Sequence, residues 1–166
     1  MTLPLDLAIV PLSWPGLLTT LACGGIIGLE RQLSGKPAGI RTSALICMGT
    51  YIFVAASLGL TGALGYPSRV VGQVVTGIGF LGAGVILTRD GAVLGVTSAA
   101  TIWVLAGIGV LAGLERHGAA VTMALVTISI LVGVNLLERS FRFMQRGVHA
   151  SFVSKYHRRK DDPPGD

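Results

Sequence analysis

The sequence predicts an all-α membrane protein, a polytopic bundle of about five transmembrane helices with glycine-rich packing. Three observations predict it. The chain of 166 residues is 51% hydrophobic and 13% charged, about half the ~25% charge content of a soluble domain, so it cannot cover itself with polar surface. Intervals without Asp, Glu, Lys or Arg run from Asp6 to Glu30, Arg41 to Arg69, Arg69 to Arg89, Asp90 to Glu115 and Arg116 to Glu138. Each can hold one span of roughly 20 residues. Glycine occurs 24 times, often at the small-xxx-small spacing that lets helix backbones approach closely in lipid.

The predicted spans are 12–29, 43–62, 70–88, 97–114 and 119–137. Pro4, Pro11 and Pro15 oppose a continuous helix at the start, so membrane entry is expected near Trp14 or Pro15, with Trp14 as an interfacial anchor. Met1 to Asp6 carries no Lys or Arg to form the positive region of a signal peptide, so the first hydrophobic segment is expected to stay. Ser34-Gly35-Lys36-Pro37-Ala38-Gly39 reads as a turn or loop after span one, and Gly65-Tyr66-Pro67-Ser68 as another after span two.

Arg89-Asp90-Gly91 reads as a tight turn between spans three and four, while Ala92 to Val96 suits a short non-helical stretch at the interface. The last span is expected to end at Glu138. Beyond it, Ser140 to Lys160 mixes Phe141, Phe143, Met144, Phe152 and Tyr156 with six basic residues. That pattern fits either a surface-lying amphipathic helix or a solvated basic tail. Residues 161–166 are expected to be disordered. The domain reading is a transmembrane domain over 1–139 and a basic cytoplasmic tail over 140–166.

Charge sets the expected orientation. Arg31, Lys36, Arg41, Arg89 and seven Lys or Arg after span five fall on one side, eleven in all, against Arg69 and Arg116 on the other. The positive-inside rule then puts the N-terminus outside and the C-terminus in the cytoplasm. The net charge of +5 is explained by this topology and by attraction to anionic lipid. No interleaving of aromatic and basic residues suggests a nucleic-acid surface.

Gly24 with Gly28 and Gly109 with Gly113 are the plainest helix-packing pairs, and Gly77, Gly79, Gly82 and Gly84 form the densest cluster. That cluster contains Gly-x-Gly-x-x-Gly, but a dinucleotide site needs a preceding strand and a soluble βαβ unit, whereas this one sits in an apolar span. All formal charges fall at span ends. Magnesium takes hard oxygen ligands, so an interior without acids argues against a midplane ion site and leaves Glu30, Asp90 and Glu138 as weak metal candidates at the cytoplasmic rim.

The more economical role for Glu30 is an ion pair with Arg31 or Arg41. Gln73, Thr76, Thr97, Ser98, Thr101 and Asn135 can hydrogen-bond between helices. Cys23 and Cys47 lie at similar depth and are read as buried thiols that pack as small hydrophobes. His117, His149 and His157 are scattered, and no catalytic constellation or cofactor motif is visible, so no enzyme is expected.

Four motifs carry a family resemblance: Gly24-Gly25-Ile26-Ile27-Gly28-Leu29-Glu30-Arg31-Gln32, Lys36-Pro37-Ala38-Gly39-Ile40-Arg41-Thr42, Gly77 to Gly84, and Gly95-Val96-Thr97-Ser98-Ala99-Ala100-Thr101-Ile102-Trp103. In this order, with Arg69, Gln73 and Leu137-Glu138-Arg139, they resemble the MgtC/SapB membrane protein family over about residues 20 to 139. Leu94 departs from the pattern, standing where relatives often carry Arg. The short basic tail stands where the prototype continues into a soluble cytoplasmic domain.

The resemblance implies a multi-pass bacterial inner-membrane protein. It implies an accessory or regulatory role in growth at low magnesium and in virulence inside phagocytes, exercised through membrane partners such as ATP synthase. Glu30, Arg31, Arg41, Thr42, Arg69, Gln73, Arg89, Thr97 and Thr101 are the polar residues expected to matter. Self-association through glycine faces is expected. The rival reading is a small transporter or channel for magnesium or another cation, in which an oligomer gathers Glu30, Asp90 or Glu138 into a ring.

Overall fold

The computed structural model describes residues 9–61, 67–89 and 92–158, with side-chain surroundings for 9–58, 68–88 and 93–137. The element order is α1 (Trp14–Leu33), α2 (Ile40–Thr61), α3 (Pro67–Gly84), β1 (Leu87–Arg89), β2 (Ala92–Leu94), α4 (Val96–Gly113) and α5 (His117–Arg158). The chain is an all-α membrane protein. Its helices divide between two compact units, residues 1–128 and 129–166.

Local chemistry explains the boundaries. Ser13 caps α1 by accepting the Gly16 N–H at 3.2 Å, and Pro15 occupies the first turn, where its missing N–H costs nothing. The helix closes as the N–H groups of Ser34 and Gly35 donate to the carbonyls of Glu30 and Gln32, with Gly35 at φ 63°. Proline opens α3. Gly95, at φ 88°, precedes α4, and a Cβ there would collide with the Val85 carbonyl, so both backbone and space demand glycine.

Within the first unit α2 is central, packed against α1 on one side and α4 on the other, while α3 lies mainly on α4. The α1 and α4 contacts are made through glycine. A Cβ on Gly24 would stand 2.8 Å from the Ala44 Cα, and one on Gly28 2.6 Å from the Ile40 Cα. On α4, a Cβ on Gly109 would stand 2.5 Å from the Cys47 carbonyl oxygen and one on Gly113 2.6 Å from the Val54 Cβ. The backbones meet because these side chains are absent.

The polarity pattern is that of a lipid-soluble bundle. Phe53, Phe80, Trp103, Leu18 and Leu125 face outward, whereas Thr20, Ser43, Thr50, Ser57, Ser98 and Thr101 are buried. Three of these hydroxyls bond within their own helix: Thr20 donates to the Gly16 carbonyl at 3.0 Å, Ser57 to that of Val54 at 2.6 Å and Thr101 to that of Thr97 at 2.8 Å. In hydrocarbon, where water cannot help, such internal pairing is what a polar group requires.

Among the described residues, three helical segments are long and apolar enough to cross a membrane: Ile40–Leu58, Val96–Gly113 and His117–Leu137. The predicted spans 12–29 and 70–88 fall on α1 and α3, which are helical over 20 and 18 residues but less apolar. Glu30, Arg31 and Gln32 sit in the last turns of α1, and α3 holds Arg69, Gln73 and five glycines.

One expectation is corrected. Span three does not run to 88: α3 stops at Gly84, and the chain forms an antiparallel hairpin pairing Leu87 with Leu94, Thr88 with Val93 and Arg89 with Ala92. The fifth span is apolar to Leu137, as predicted, and the helix that carries it continues beyond Glu138 to Arg158. A change from apolar to basic side chains alters the preferred surroundings, not the backbone, and no proline falls between 117 and 158 to break the ladder. Asp90, residues 62–66 and the terminal 161–166 lie outside the described residues.

Candidate functional site

The connection between α1 and α2 is a built polar cap. Arg31, 2% exposed, reaches back to its neighbour Glu30, with Nε donating to Oε2 at 2.6 Å and Nη2 to Oε1 at 3.0 Å. The Ser34 hydroxyl donates to Oε1 at 2.8 Å. Burial raises the Glu30 pKa, but the hydrogen bonds from Arg31 and Ser34 and the charges of Arg31 and Lys36 outweigh it, holding the carboxyl below its ordinary range. The Lys36 N–H donates to the Arg31 carbonyl, Gln32 Oε1 accepts the Ile40 N–H, and the Ser43 hydroxyl donates to the Ala38 carbonyl. The loop is thereby tied to both helices.

This geometry settles which arginine Glu30 meets: it is Arg31. Both Glu30 oxygens are engaged and the carboxylate charge is neutralised by a nearly buried guanidinium, which weakens it as a magnesium ligand. Arg41 is left exposed in the first turn of α2. No three of His, Cys, Asp or Glu gather into a metal-binding group among the described residues.

At the far end of α1 lies a network that sequence reasoning missed. Tyr51, fully buried, accepts the Ser13 N–H at 2.6 Å and donates to the Ser13 carbonyl at 3.1 Å. The Ser13 hydroxyl donates to Glu115 Oε1 at 3.2 Å, and His117 Nε2 lies 3.0 Å from Glu115 Oε2. Gly16 makes room for the Tyr51 ring. The available signal was the four-residue series Gly16, Thr20, Gly24, Gly28, which marks one close-packed stripe along all of α1.

Thr42 and Gln73 line one groove between α2 and α3. Thr101 is buried in α4 and bonded to Thr97, which is exposed. Arg69 is exposed at the start of α3. Arg89 belongs to β1 and Glu138 to α5, but their side chains lie outside the described surroundings. Cys47 donates to the Leu105 carbonyl at 3.2 Å, and both cysteines are buried free thiols.

The α3 glycines differ from the rest. Gly77, Gly79 and Gly84 have nothing within 4 Å of where a Cβ would stand, and Gly82 meets only Ala99, at 3.8 Å. The predicted packing role of this cluster therefore finds no partner helix pressed against it among the described residues of this chain.

The sequence profile of the MgtC family matches residues 17–140. YhiD of Escherichia coli strain K12, provisionally named a magnesium transporter, is 41% identical over 140 residues, covering 80% of this chain and 64% of its own. Protein MgtC of Brucella abortus strain 2308 is 40% identical over 143 residues, covering 81% and 60%. Protein MgtC of Salmonella typhi is 40% identical over 140 residues, covering 84% and 59%. The chain thus spans about three-fifths of the length of these curated relatives. No solved structure matches it.

Proposed function

The chain belongs to the MgtC family, and from that premise we propose that it is an accessory or regulatory protein of the bacterial inner membrane, not an enzyme. In this reading it supports adaptation to low magnesium and survival inside host cells by contacting membrane partners, a complex such as ATP synthase among them. One observation carries the reading. The helices offer elaborate packing chemistry, yet among the described residues no Asp or Glu is fully buried, and Glu30 is already occupied by Arg31 and Ser34.

All five helices, α1 and α3 included, span the membrane in this proposal, with the N-terminus outside. The eleven-to-two division of basic residues supports that orientation. Self-association uses the exposed face of α3 that bears Gly72, Thr76, Gly79 and Ala83, spaced four, three and four residues apart. Deleting the gene should impair growth in low magnesium and alter membrane potential or cytoplasmic pH, and no change in any of the three would refute the role. Reporter fusions after Ser68, Arg89 and Asp166 should read outside, inside and inside.

The magnesium transporter named among the relatives supports a second reading, in which an oligomer forms a cation path lined at its mouth by Glu30, Asp90 or Glu138. Uptake into proteoliposomes that Glu30→Gln abolishes would favour it.

A further inference from the structure

An open cavity of about 910 Å³ lies between α2 and α3. It exists because Gly49 and Gly77 face it without side chains and because α3 packs chiefly on α4. Leu45, Phe53, Val74 and Leu81 make its walls. On α2 the lining runs from Thr42 to Ser57, about 22 Å at 1.5 Å per residue. One leaflet contributes half of a hydrocarbon core ~30 Å thick, so the groove is long enough for a full acyl chain.

Each end carries an arginine. Arg41 precedes Leu45 by four residues, and Arg69 precedes Gln73 by four, so each sits one turn ahead of a groove-lining residue on the same helix face. The link from Thr61 to Pro67 can reach at most about 22 Å, less than the ~33 Å length of α2, so the two helices run antiparallel and the arginines mark opposite mouths. Both are exposed, and neither guanidinium has an ion-pair or hydrogen-bond partner among the described residues. Glu30, the nearest acid in sequence to Arg41, is taken by Arg31. The exposed Thr42 hydroxyl and the basic Lys36 of the preceding loop belong to the Arg41 end.

We propose that the α2–α3 groove binds an anionic phospholipid, with an acyl chain lying along Leu45, Gly49 and Phe53 against α3 and the phosphate held at Arg41 and Thr42. Basic pockets between membrane helices recognise such head groups, and the guanidinium fork matches phosphate oxygens. A second copy fits the groove poorly. Two copies inserted the same way round are related by an axis along the membrane normal, which would set Arg41 beside Arg41 and Arg69 beside Arg69.

The test is quantitative lipid analysis and native mass spectrometry of the full chain, exchanged into mixed micelles holding equal amounts of phosphatidylglycerol and phosphatidylethanolamine. Wild type should retain phosphatidylglycerol preferentially. Arg41→Gln should lose that preference by about fivefold, the size expected of one arginine near a phosphate, while Arg69→Gln keeps it. Gly77→Leu, which fills the groove from α3, should release both lipids, and its native helix content by circular dichroism would show that it folds. Equal retention of the two lipids by wild type, loss of preference in Arg69→Gln alone, or wild type free of lipid in every oligomeric state would overturn the proposal.

Discussion

Glu30 and Arg31 are adjacent in sequence, and their pairing converts a charge that could not stand alone in a nearly buried position into a neutral cap at the end of α1. Glu30→Gln should therefore destabilise the protein by roughly 1–3 kcal/mol, between the values for exposed and fully buried pairs, measured as thermal unfolding in detergent. Because the carboxyl is held below its ordinary range, its stabilisation is present at neutral pH and lost as pH falls through the lowered value. The variant should lack that acid limb. Glycines sort just as sharply. Gly109→Ala puts a methyl 2.5 Å from the Cys47 carbonyl oxygen and should cost about 1–3 kcal/mol, whereas Gly79→Ala meets open space and should leave unfolding of the monomer unchanged or improve it. Sequence reveals Gly24, Gly28, Gly109 and Gly113 as small residues at the right spacing. It cannot separate them from Gly77 and Gly79, because spacing places a residue on a face and does not say whether another helix covers that face.

At the scale of elements, helix positions were legible and the α3–α4 connection only in part: the turn at Arg89-Asp90-Gly91 could be read, the strand pairing could not. Charge-free intervals locate all five helices because apolar length dictates them. The hairpin from Leu87 to Leu94 was obscured because Val85, Ile86 and Leu87 extend the hydropathy of span three, although Asp90-Gly91 is a hairpin signal. Gly95→Ala forces a side chain into a left-handed conformation against the Val85 carbonyl and should cost more than about 1 kcal/mol, the ordinary range for strain-free glycine replacement. Faster hydrogen exchange in β1, β2 and the first turn of α4 would locate the damage, and exchange unchanged there would mean that the hairpin does not depend on this turn. The Ser13, Tyr51, Glu115 and His117 network was illegible for a different reason. Its members are up to 104 residues apart, and nothing local to any of them announces the others.

For the whole molecule, the balance of observations favours contact over transport. Thr20, Ser43, Ser57 and Thr101 bond backbone carbonyls, the acid best placed at the α1–α2 rim is engaged, and the unpartnered surface is the glycine-bearing side of α3 and the groove beside it. The most direct test is radiotracer magnesium uptake into liposomes containing the purified full chain, beside Glu30→Gln and empty vesicles, across inward and outward gradients. An accessory role predicts no uptake above empty vesicles for either protein. Saturable uptake by wild type that Glu30→Gln loses would contradict that role and make the rim carboxylate part of a cation path.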